Sequence, residues 1–236
     1  RLTIYPYIQL GVVALFFILA VSILLSSKKS EQNKVWVGLS KETAHQLGTP
    51  ISSLMAWTEV LQELYPEDNT IEYLKQDVER LQLIADRFSK IGSAPKLEPT
   101  NVDDAVSAAI RYMSQRTSGK VNITYHPPQE SMTANLCPPL FAWVIENLCK
   151  NAVDAMSGAG SITITAWAFE KHLEIDVSDT GKGIPSTRFK SVFRPGYTTK
   201  KRGWGLGLSL AKRIIEQYHK GRIFVKQSEI NVGTTF

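Results

Sequence analysis

Two stretches of the chain repeat apolar residues on a seven-residue rhythm, and that rhythm fixes the local fold more tightly than any other feature. Ile71, Leu74, Val78, Leu81, Ala85 and Phe88 follow one another at alternating steps of three and four. Upstream, Leu47, Ile51, Leu54, Thr58, Leu61 and Tyr65 do the same. Such steps draw one narrow stripe along an α-helix, the seam of a coiled coil. Between them "YPEDNT" (65–70) is a turn, punctuated by Pro66 and Asn69. The spacing predicts a first helix within residues 30–64 and a second over 70–91, with Thr70 as its N-cap. Two helices joined by a short turn form an antiparallel hairpin. A lone hairpin leaves much of its stripe in water, whereas two hairpins bury it as a four-helix bundle, so a homodimer is expected.

His45 lies in "AHQLGTPIS" (44–52), two positions before the seam residue Leu47. At 100° per residue that is about 200° round the helix, so the imidazole faces water. Pro50 lacks an N–H, frees the carbonyl of Gln46 and is expected to kink the helix. Gly48 loosens the same turn, by roughly 1 kcal/mol relative to alanine. A weak point beside an exposed imidazole suggests a nucleophile whose helix bends as it reacts. A plain surface histidine is the competing reading.

Nearer the start, Ile8 to Ser26 carries no charge over 19 residues. As a helix it spans roughly 28 Å, close to the hydrocarbon thickness of a bilayer. Tyr5 and Tyr7 would mark one interface. Lys28, Lys29 and Lys34 follow the run and only Arg1 precedes it, which places everything after residue 27 on the cytoplasmic side. A cleaved signal peptide would need a basic n-region, and a core helix would need a polar face. The chain opens on Arg1 instead of Met, so a longer protein is expected upstream. The net charge of +5 is spread along the sequence, apart from residues 28–34 and 200–202, with no basic stripe interleaved with aromatics. No nucleic-acid partner is therefore expected. Cys137 and Cys149 lack metal-ligand spacing and read as buried reduced thiols.

"GSAPKLEP" (92–99) reads as a linker, and the chain beyond it mixes helices and strands. Helices are predicted over 101–116 and 138–158, and from the glycine-rich "GWGLGL" (203–208) to Gly221. Strands are predicted over 120–127, 131–136, 161–169, 172–179, 222–229 and 233–236. This order predicts an α+β two-layer sandwich, with helices on one face of a mixed sheet.

Four patches there carry possible chemistry. Asn147 and Asn151 stand one helical turn apart, and amide oxygens suit Mg²⁺, which keeps several waters and shares phosphates. In "DTGKGIP" (179–185), Asp179 ends a strand and could accept a hydrogen bond from an exocyclic amine. Gly181 and Gly183 permit tight turning behind it. "FKSVFRPGYTTKKRG" (189–203) is a loop whose Lys200, Lys201 and Arg202 could meet phosphates as a mobile lid. Gly203, Gly205 and Gly207 open a helix N-terminus, which favours a phosphate. Each patch alone has an ordinary reading: surface asparagines, a D-x-G turn, a solvated basic loop, a weak glycine pattern. Their order and spacing behind a displayed histidine are the specific signal.

With these motifs the chain from residue 30 onward resembles a membrane-bound sensor histidine kinase of a bacterial two-component system. "ETAHQLGTPISSL" is similar to the phosphoacceptor box. "NLCKNAVDA", "DTGKGIP", "FKSVFRPGYTTK" and "GWGLGLSLAKRI" are similar to the N box, first glycine box, F box and second glycine box of the GHKL (Bergerat) ATP-binding domain. The wording is most like kinases of the Bacteroidetes type. The resemblance implies four parts: a membrane-proximal segment and transmembrane helix (1–27), an all-α dimerisation and phosphotransfer hairpin (28–92), a linker (93–100) and an ATP-binding domain (101–236). It implies ATP and Mg²⁺ as ligands, an inner-membrane location with the kinase domains in the cytoplasm, contact with membrane lipid, and a response-regulator receiver domain as partner.

The roles it implies are specific. His45 takes the γ-phosphoryl group, Asn151 ligates Mg²⁺ with Asn147 nearby, and Lys150 belongs to the same box. Asp179 reads the adenine amine in a pocket shaped by Gly181 and Gly183. Phe189 and Phe193 pack under the lid, Lys200 and the glycines at 203, 205 and 207 line the phosphates, and Thr234 helps hold adenine. Two departures stand out. Many members carry an acid directly after the histidine, where Gln46 stands here; Gln can fix a tautomer but is no base, so Glu42 is a candidate acceptor. Thr49 matches the position associated with dephosphorylating the regulator. Secondly, Phe236 follows "GTTF" before the closing strand of such a domain would be complete, so a clipped C-terminus is expected. An ATPase of the same superfamily and a degenerate kinase acting as a dimeric scaffold are the alternatives. Asn147 disfavours the first, because it stands where such ATPases carry a water-activating glutamate.

Overall fold

The computed structural model describes the backbone of residues 5–93, 95–170, 172–200, 203 and 205–236, with side chains of 5–8, 25–26, 28–36 and 39 outside that description. The chain divides into two compact units, residues 1–94 and 95–236.

The first unit is a helical hairpin. Helix α1 (Tyr5–Leu64) is 60 residues long, and it passes through Pro50 without ending. Its length is about 90 Å at 1.5 Å per residue. Its apolar run displays Leu10, Phe16, Phe17, Ile23 and Leu24 to the surroundings. Among the described residues no helix is long and apolar enough to cross a membrane; Tyr5, Tyr7, Ile8, Leu25, Ser26, Lys28, Lys29 and Lys34 lie outside the described side chains. After a four-residue turn, α2 runs from Asn69 to Gly92. Its N-cap is Asp68, not Thr70: the Asp68 carboxylate accepts the Thr70 N–H at 2.8 Å. A side-chain oxygen one position before the helix reaches the free N–H two residues on, which Thr70, already inside the helix, has no means of doing. That hydrogen bond holds the exposed Asp68 carboxyl below its usual range.

The predicted seam divides in two. Ile51 and Thr58 on α1, with Ile71, Val78 and Ala85 on α2, are buried, and Met55 packs against this cluster. Leu47, Leu54, Leu74 and Leu81 stay between 38% and 45% exposed. The sister helix covers one flank of the stripe, and the exposed leucines leave the other flank open to a further layer. Where the hairpin opens away from its turn, the backbones touch: a Cβ on Gly92 would lie 2.7 Å from the Lys41 nitrogen.

The second unit is an α+β sandwich. It starts with β1 (Glu98–Asn101), helix α3 (Val102–Ser114), β2 (Val121–His126), β3 (Thr133–Leu136) and α4 (Pro138–Ala155). It continues with β4 (Gly160–Ala168), β5 (Leu173–Asp179), two 3₁₀ turns (Ser186–Arg188 and Ser191–Phe193) and α5 (Gly207–Arg213), then β6 (Gln227–Glu229) and β7 (Gly233–Thr235). The main sheet has the order β2-β4-β5-β7-β6. Only β2 and β4 run parallel. Ile162, Ile164 and Ala166 alternate along β4 and are buried, as is Val177 on β5, while α4 contributes Leu140, Phe141, Val144, Ile145 and Leu148 to the core. Each of these side chains except Ala166 stabilises the fold by about 1.5–3 kcal/mol through burial. Cys137 and Cys149 are free and buried. Burial pushes the Cys149 thiol up to about 12, so it is an inert core residue.

Three expectations are corrected. Residues 98–100, read as linker, are strand, because β1 pairs antiparallel with β3 from Glu98↔Leu136 to Asn101↔Thr133. A two-stranded edge tolerates Pro99, whose missing N–H is no loss there. The expected strand over 222–229 shrinks to Gln227–Glu229, since the partner β7 is itself three residues long. The last helix does not run evenly to Gly221: after Arg213 it widens into a π turn, Ile214–Tyr218.

Candidate functional site

The second unit gathers most of the singled-out residues. Asp179 closes β5, and its register partner on β7 is Thr234. Antiparallel partners point their side chains to one face, so the two stand side by side. Asp179 Oδ1 accepts the N–H of Gly181 at 2.8 Å. Burial raises the Asp179 carboxyl above its ordinary range, and backbone N–H groups of Gly181 and Thr234 pull it part-way back. Thr234 is buried, with its hydroxyl 3.0 Å from that of Ser228. Ser228 also accepts the N–H of Ile184 at 2.7 Å and so ties "DTGKGIP" to β6.

The turn needs its glycines. Gly183 has φ +73°, and a Cβ there would lie 2.1 Å from the Glu229 carbonyl oxygen. Gly181 presses on α4, where its Cβ would come within 2.7 Å of the Ala155 side chain. This contact and the Lys182 N–H on the Ala155 carbonyl at 3.1 Å join the Asp179 turn to the end of α4.

Helix α4 carries Asn147, Asn151 and Asp154 along one side. Lys150 is exposed, and Asn147 and Asn151 are half-buried. The second glycine box meets this face: a Cβ on Gly207 would come within 3.1 Å of the Asn147 Oδ1. Gly205, at φ +63°, lies against Gly196 and Tyr197 of the lid loop, and the Gly196 N–H donates to its carbonyl at 3.1 Å. Gly203 is exposed beside Thr198 and Lys200. Lys200 donates to Asn151 Oδ1 at 3.2 Å and pairs with Asp154. Under the lid Val192, Phe193 and Val225 form a buried cluster, with Ile184, Phe189, Tyr197, Leu208 and Phe236 packed on it. Phe193 and Phe236 meet edge to face. Lys201, Arg202 and Trp204 lie outside the described residues.

These contacts fit a magnesium nucleotide. The buried Nδ2 of Asn147 has no hydrogen-bond partner among the described residues, and on the Oδ1 side of the same amide a Cβ on Gly207 would come within 3.1 Å, so only glycine leaves that approach open. Asn151 Oδ1 already accepts from a cation, the Lys200 ammonium, so it is accessible to one. Neutral amide oxygens are suitable ligands for Mg²⁺. Among the described residues no group of three or more His, Cys, Asp or Glu side chains is placed to hold a metal ion.

The phosphoacceptor candidates lie on α1 of the first unit. His45, Gln46 and Thr49 are exposed, as their phase relative to the seam requires. Gln46 Nε2 donates to Glu42 Oε1 at 2.7 Å. Ser52 and Ser53 donate their hydroxyls to the carbonyls of Gly48 and Thr49, at 2.9 Å and 3.4 Å, across the Pro50 turn.

Sequence reasoning missed Asp154, Ser228 and His219. Asp154 was accessible, since it falls three residues after Asn151 on the same helical face. His219 carries no local signal: its Nδ1 bonds the Ile214 carbonyl at 2.9 Å, while its Nε2 accepts the Cys137 N–H at 3.0 Å, capping α4 from 82 residues away.

A family model described as histidine kinase-, DNA gyrase B- and HSP90-like ATPase matches residues 138–236, the region that holds every contact of the nucleotide cradle. That part of the second unit is similar to this ATPase family. Over 234 residues the chain is 27% identical to sporulation kinase D of Bacillus subtilis, covering 95% of this chain and 46% of that protein. The chain thus spans about half the length of the curated relatives it matches. The catalytic domain of histidine kinase ThkA superposes with a TM-score of 0.55 at 25% identity, over 60% of this chain and 92% of that one. ThkA in complex with the response regulator protein TrrA shares the fold at a TM-score of 0.56 and 18% identity, over 89% of this chain and 65% of that one. Within the ATPase unit, α4 supplies the asparagines, the β5–β7 pair the Asp–Thr corner, and the two glycine boxes the space between.

Proposed function

We propose that this chain is part of a sensor histidine kinase, which binds ATP in the ATPase unit and phosphorylates His45. The observation that carries the reading is that Gly207 meets α4 at Asn147 while the turn after Asp179, whose register partner is Thr234, meets the same helix at Ala155. Asp179 would accept from the adenine amine, and Thr234 would hold the same edge. Asn151, with Asn147, would hold Mg²⁺, which neutralises charge on the phosphates. Lys200 would leave Asn151 for the phosphates. Phosphoryl transfer mainly needs positioning and charge compensation, which such an arrangement supplies. A neutral imidazole nitrogen of His45 then attacks the γ-phosphorus, and ADP departs.

The phosphoryl group would pass to an aspartate of a response-regulator receiver domain; histidine kinase ThkA forms a complex with the response regulator protein TrrA, which supports a partner of that class. Thr49, one turn after His45, would serve the reverse dephosphorylation. The exposed leucines of both helices support dimerisation through the hairpin. We further propose that Ile8–Ser26 spans the inner membrane. The support is the uncharged sequence and the lipid-like exposure of its described side chains, with α1 carrying the helix onward toward the cytoplasm.

The test is incubation with γ-labelled ATP and Mg²⁺ beside a His45→Gln variant. Acid-labile label lost in the variant is the expected result. Free phosphate without protein label would indicate an ATPase instead.

A further inference from the structure

Gln46 occupies the position beside the histidine where proton chemistry would favour an acid, and the structure shows what it is bonded to. Its Nε2 donates a 2.7 Å hydrogen bond to Oε1 of Glu42, one turn back on α1. A carboxylate only accepts, so Glu42 takes the amino end of the amide and leaves Gln46 Oε1 as its unbound end. The amide is therefore not free to present either face. Its acceptor end belongs to the residue next to His45, and a negative charge polarises it from behind.

We propose that Glu42 is a positioning residue for His45: through Gln46 it fixes the imidazole tautomer and compensates the charge that forms on the ring. This rests on the reading of His45 as phosphoacceptor. One ring nitrogen forms a bond to the γ-phosphorus while the bond from that phosphorus to the β–γ bridging oxygen breaks, and ADP leaves with the electron pair. The other ring nitrogen keeps its proton and donates it in a hydrogen bond to Gln46 Oε1. The ring is then cationic, and the Glu42 carboxylate balances it across the amide. Gln46 cannot take the proton, which leaves to water once transfer is complete. Glu42 and Gln46 together thus supply what a single acid beside the histidine would supply: an oriented acceptor and a negative charge.

Pairs of this spacing also occur as plain helix-surface contacts. On α2, Gln76 donates to Glu72 at 3.3 Å and Gln82 to Asp86 at 3.0 Å. Neither flanks a histidine, so they serve as internal controls.

The experiment uses the full chain in lipid nanodiscs, with ATP and Mg²⁺. Glu42→Gln is expected to lower the initial autophosphorylation rate at least tenfold with KM for ATP unchanged. Glu42→Gln combined with Gln46→Glu, which moves the carboxylate beside the histidine, is expected to restore the rate. Glu72→Gln is expected to leave it unchanged. Independently of activity, the ring ¹⁵N shifts of His45 in the nucleotide-free protein should report one dominant tautomer in the parent and a mixture in Glu42→Gln. A Glu42→Gln rate within twofold of the parent, a charge swap that fails to restore it, or an unchanged tautomer ratio overturns the proposal. If the parent takes no label at all, the kinase reading falls on its own, and the tautomer comparison still decides whether Glu42 orients the ring.

Discussion

The ammonium of Lys200, in the lid loop, donates to the side-chain oxygen of Asn151 at 3.2 Å and pairs with Asp154 one turn on. Both ends of the Lys200–Asp154 pair are about two-fifths exposed (42% and 40%). Exposed pairs of this kind contribute about 0–1 kcal/mol, so the contact parks the lysine more than it holds the fold. Lys200→Met should leave the melting temperature nearly unchanged. It should weaken binding of a non-hydrolysable ATP analogue by about tenfold, equivalent to roughly 1.4 kcal/mol of lost phosphate contact. Calorimetric titration in Mg²⁺ checks this, and an unaltered Kd would show that the lysine does not reach the phosphates.

Asp179 couples function to a stability penalty. Its carboxyl is raised above its ordinary value by burial. Between the unfolded and folded values the native state holds more protons than the unfolded chain. Stability therefore falls as pH rises through that window, and the penalty is fully present above it. Asp179→Asn removes the charge but keeps an oxygen for the Gly181 N–H. It should raise the melting temperature at neutral pH, give no gain below the unfolded carboxylate pKa of about 3.9, and abolish measurable nucleotide binding. Melting curves at neutral and acid pH, with a fluorescent nucleotide titration, separate the two effects.

The hairpin and the four patches were readable because each is written locally. A seven-residue apolar rhythm needs no partner to be recognised, and neither does a glycine that must adopt φ +73° in a turn such as Gly183. What escaped was decided by distant contacts. β1 is a strand only because residues 133–136 lie alongside it, and nothing within "KLEP" announces that partner. The cap of α2 went to Asp68 because two nearby polar residues competed, and geometry alone chooses between them. The π turn at Ile214–Tyr218 accompanies the placement of His219 against Cys137, a contact no local pattern encodes. Of the seam, Ile51, Thr58, Ile71, Val78 and Ala85 are buried while Tyr65 falls outside the helix and the leucines at 47, 54, 74 and 81 stay exposed, a division that depends on how many helices pack together.

His219 predicts an acid-sensitive ATPase unit. Burial holds its pKa below the ordinary value of about 6.5. Its Nε2 must stay unprotonated to accept the Cys137 N–H. Below pH 6.5 the unfolded chain binds the extra proton first, so this stabilisation is complete above that pH and is lost as pH falls through the folded value. Thermal melts between pH 8 and pH 5 should show a decline that His219→Gln flattens, because glutamine accepts from an N–H without titrating. A decline of equal slope in the variant would assign the acid sensitivity elsewhere.

Gly92 sets how closely the two helices approach near His45. A methyl group there meets the backbone nitrogen and Cα of Lys41 at 2.7 Å and 2.8 Å. A side-chain rotation cannot relieve a clash with backbone. Alanine gains about 1 kcal/mol in helix propensity over glycine, yet overpacking of this kind costs about 1–3 kcal/mol. Gly92→Ala should therefore leave the hairpin no more stable and should splay it at this end. Gly92→Val, which loses most of the propensity gain, should destabilise it clearly. Spin labels at positions 44 and 89 would report the widening, and an unchanged distance distribution would mean that the helices tolerate the methyl.

Leu54 and Leu81 distinguish a hairpin that stands alone from one that pairs. Both belong to the heptad seam, and both remain more than two-fifths exposed, at 42% and 45%. In an isolated hairpin a charge at either position would meet water and cost little. At the centre of a four-helix bundle the same charge would be buried without a partner, at several kcal/mol. Leu54→Glu with Leu81→Glu should therefore keep the helical circular dichroism of the parent while shifting the mass by light scattering from dimer to monomer. Because the added charges repel only across the shared layer, the loss should ease at a pH low enough to protonate both glutamates. A double variant that remains dimeric at neutral pH would place the interface on another surface.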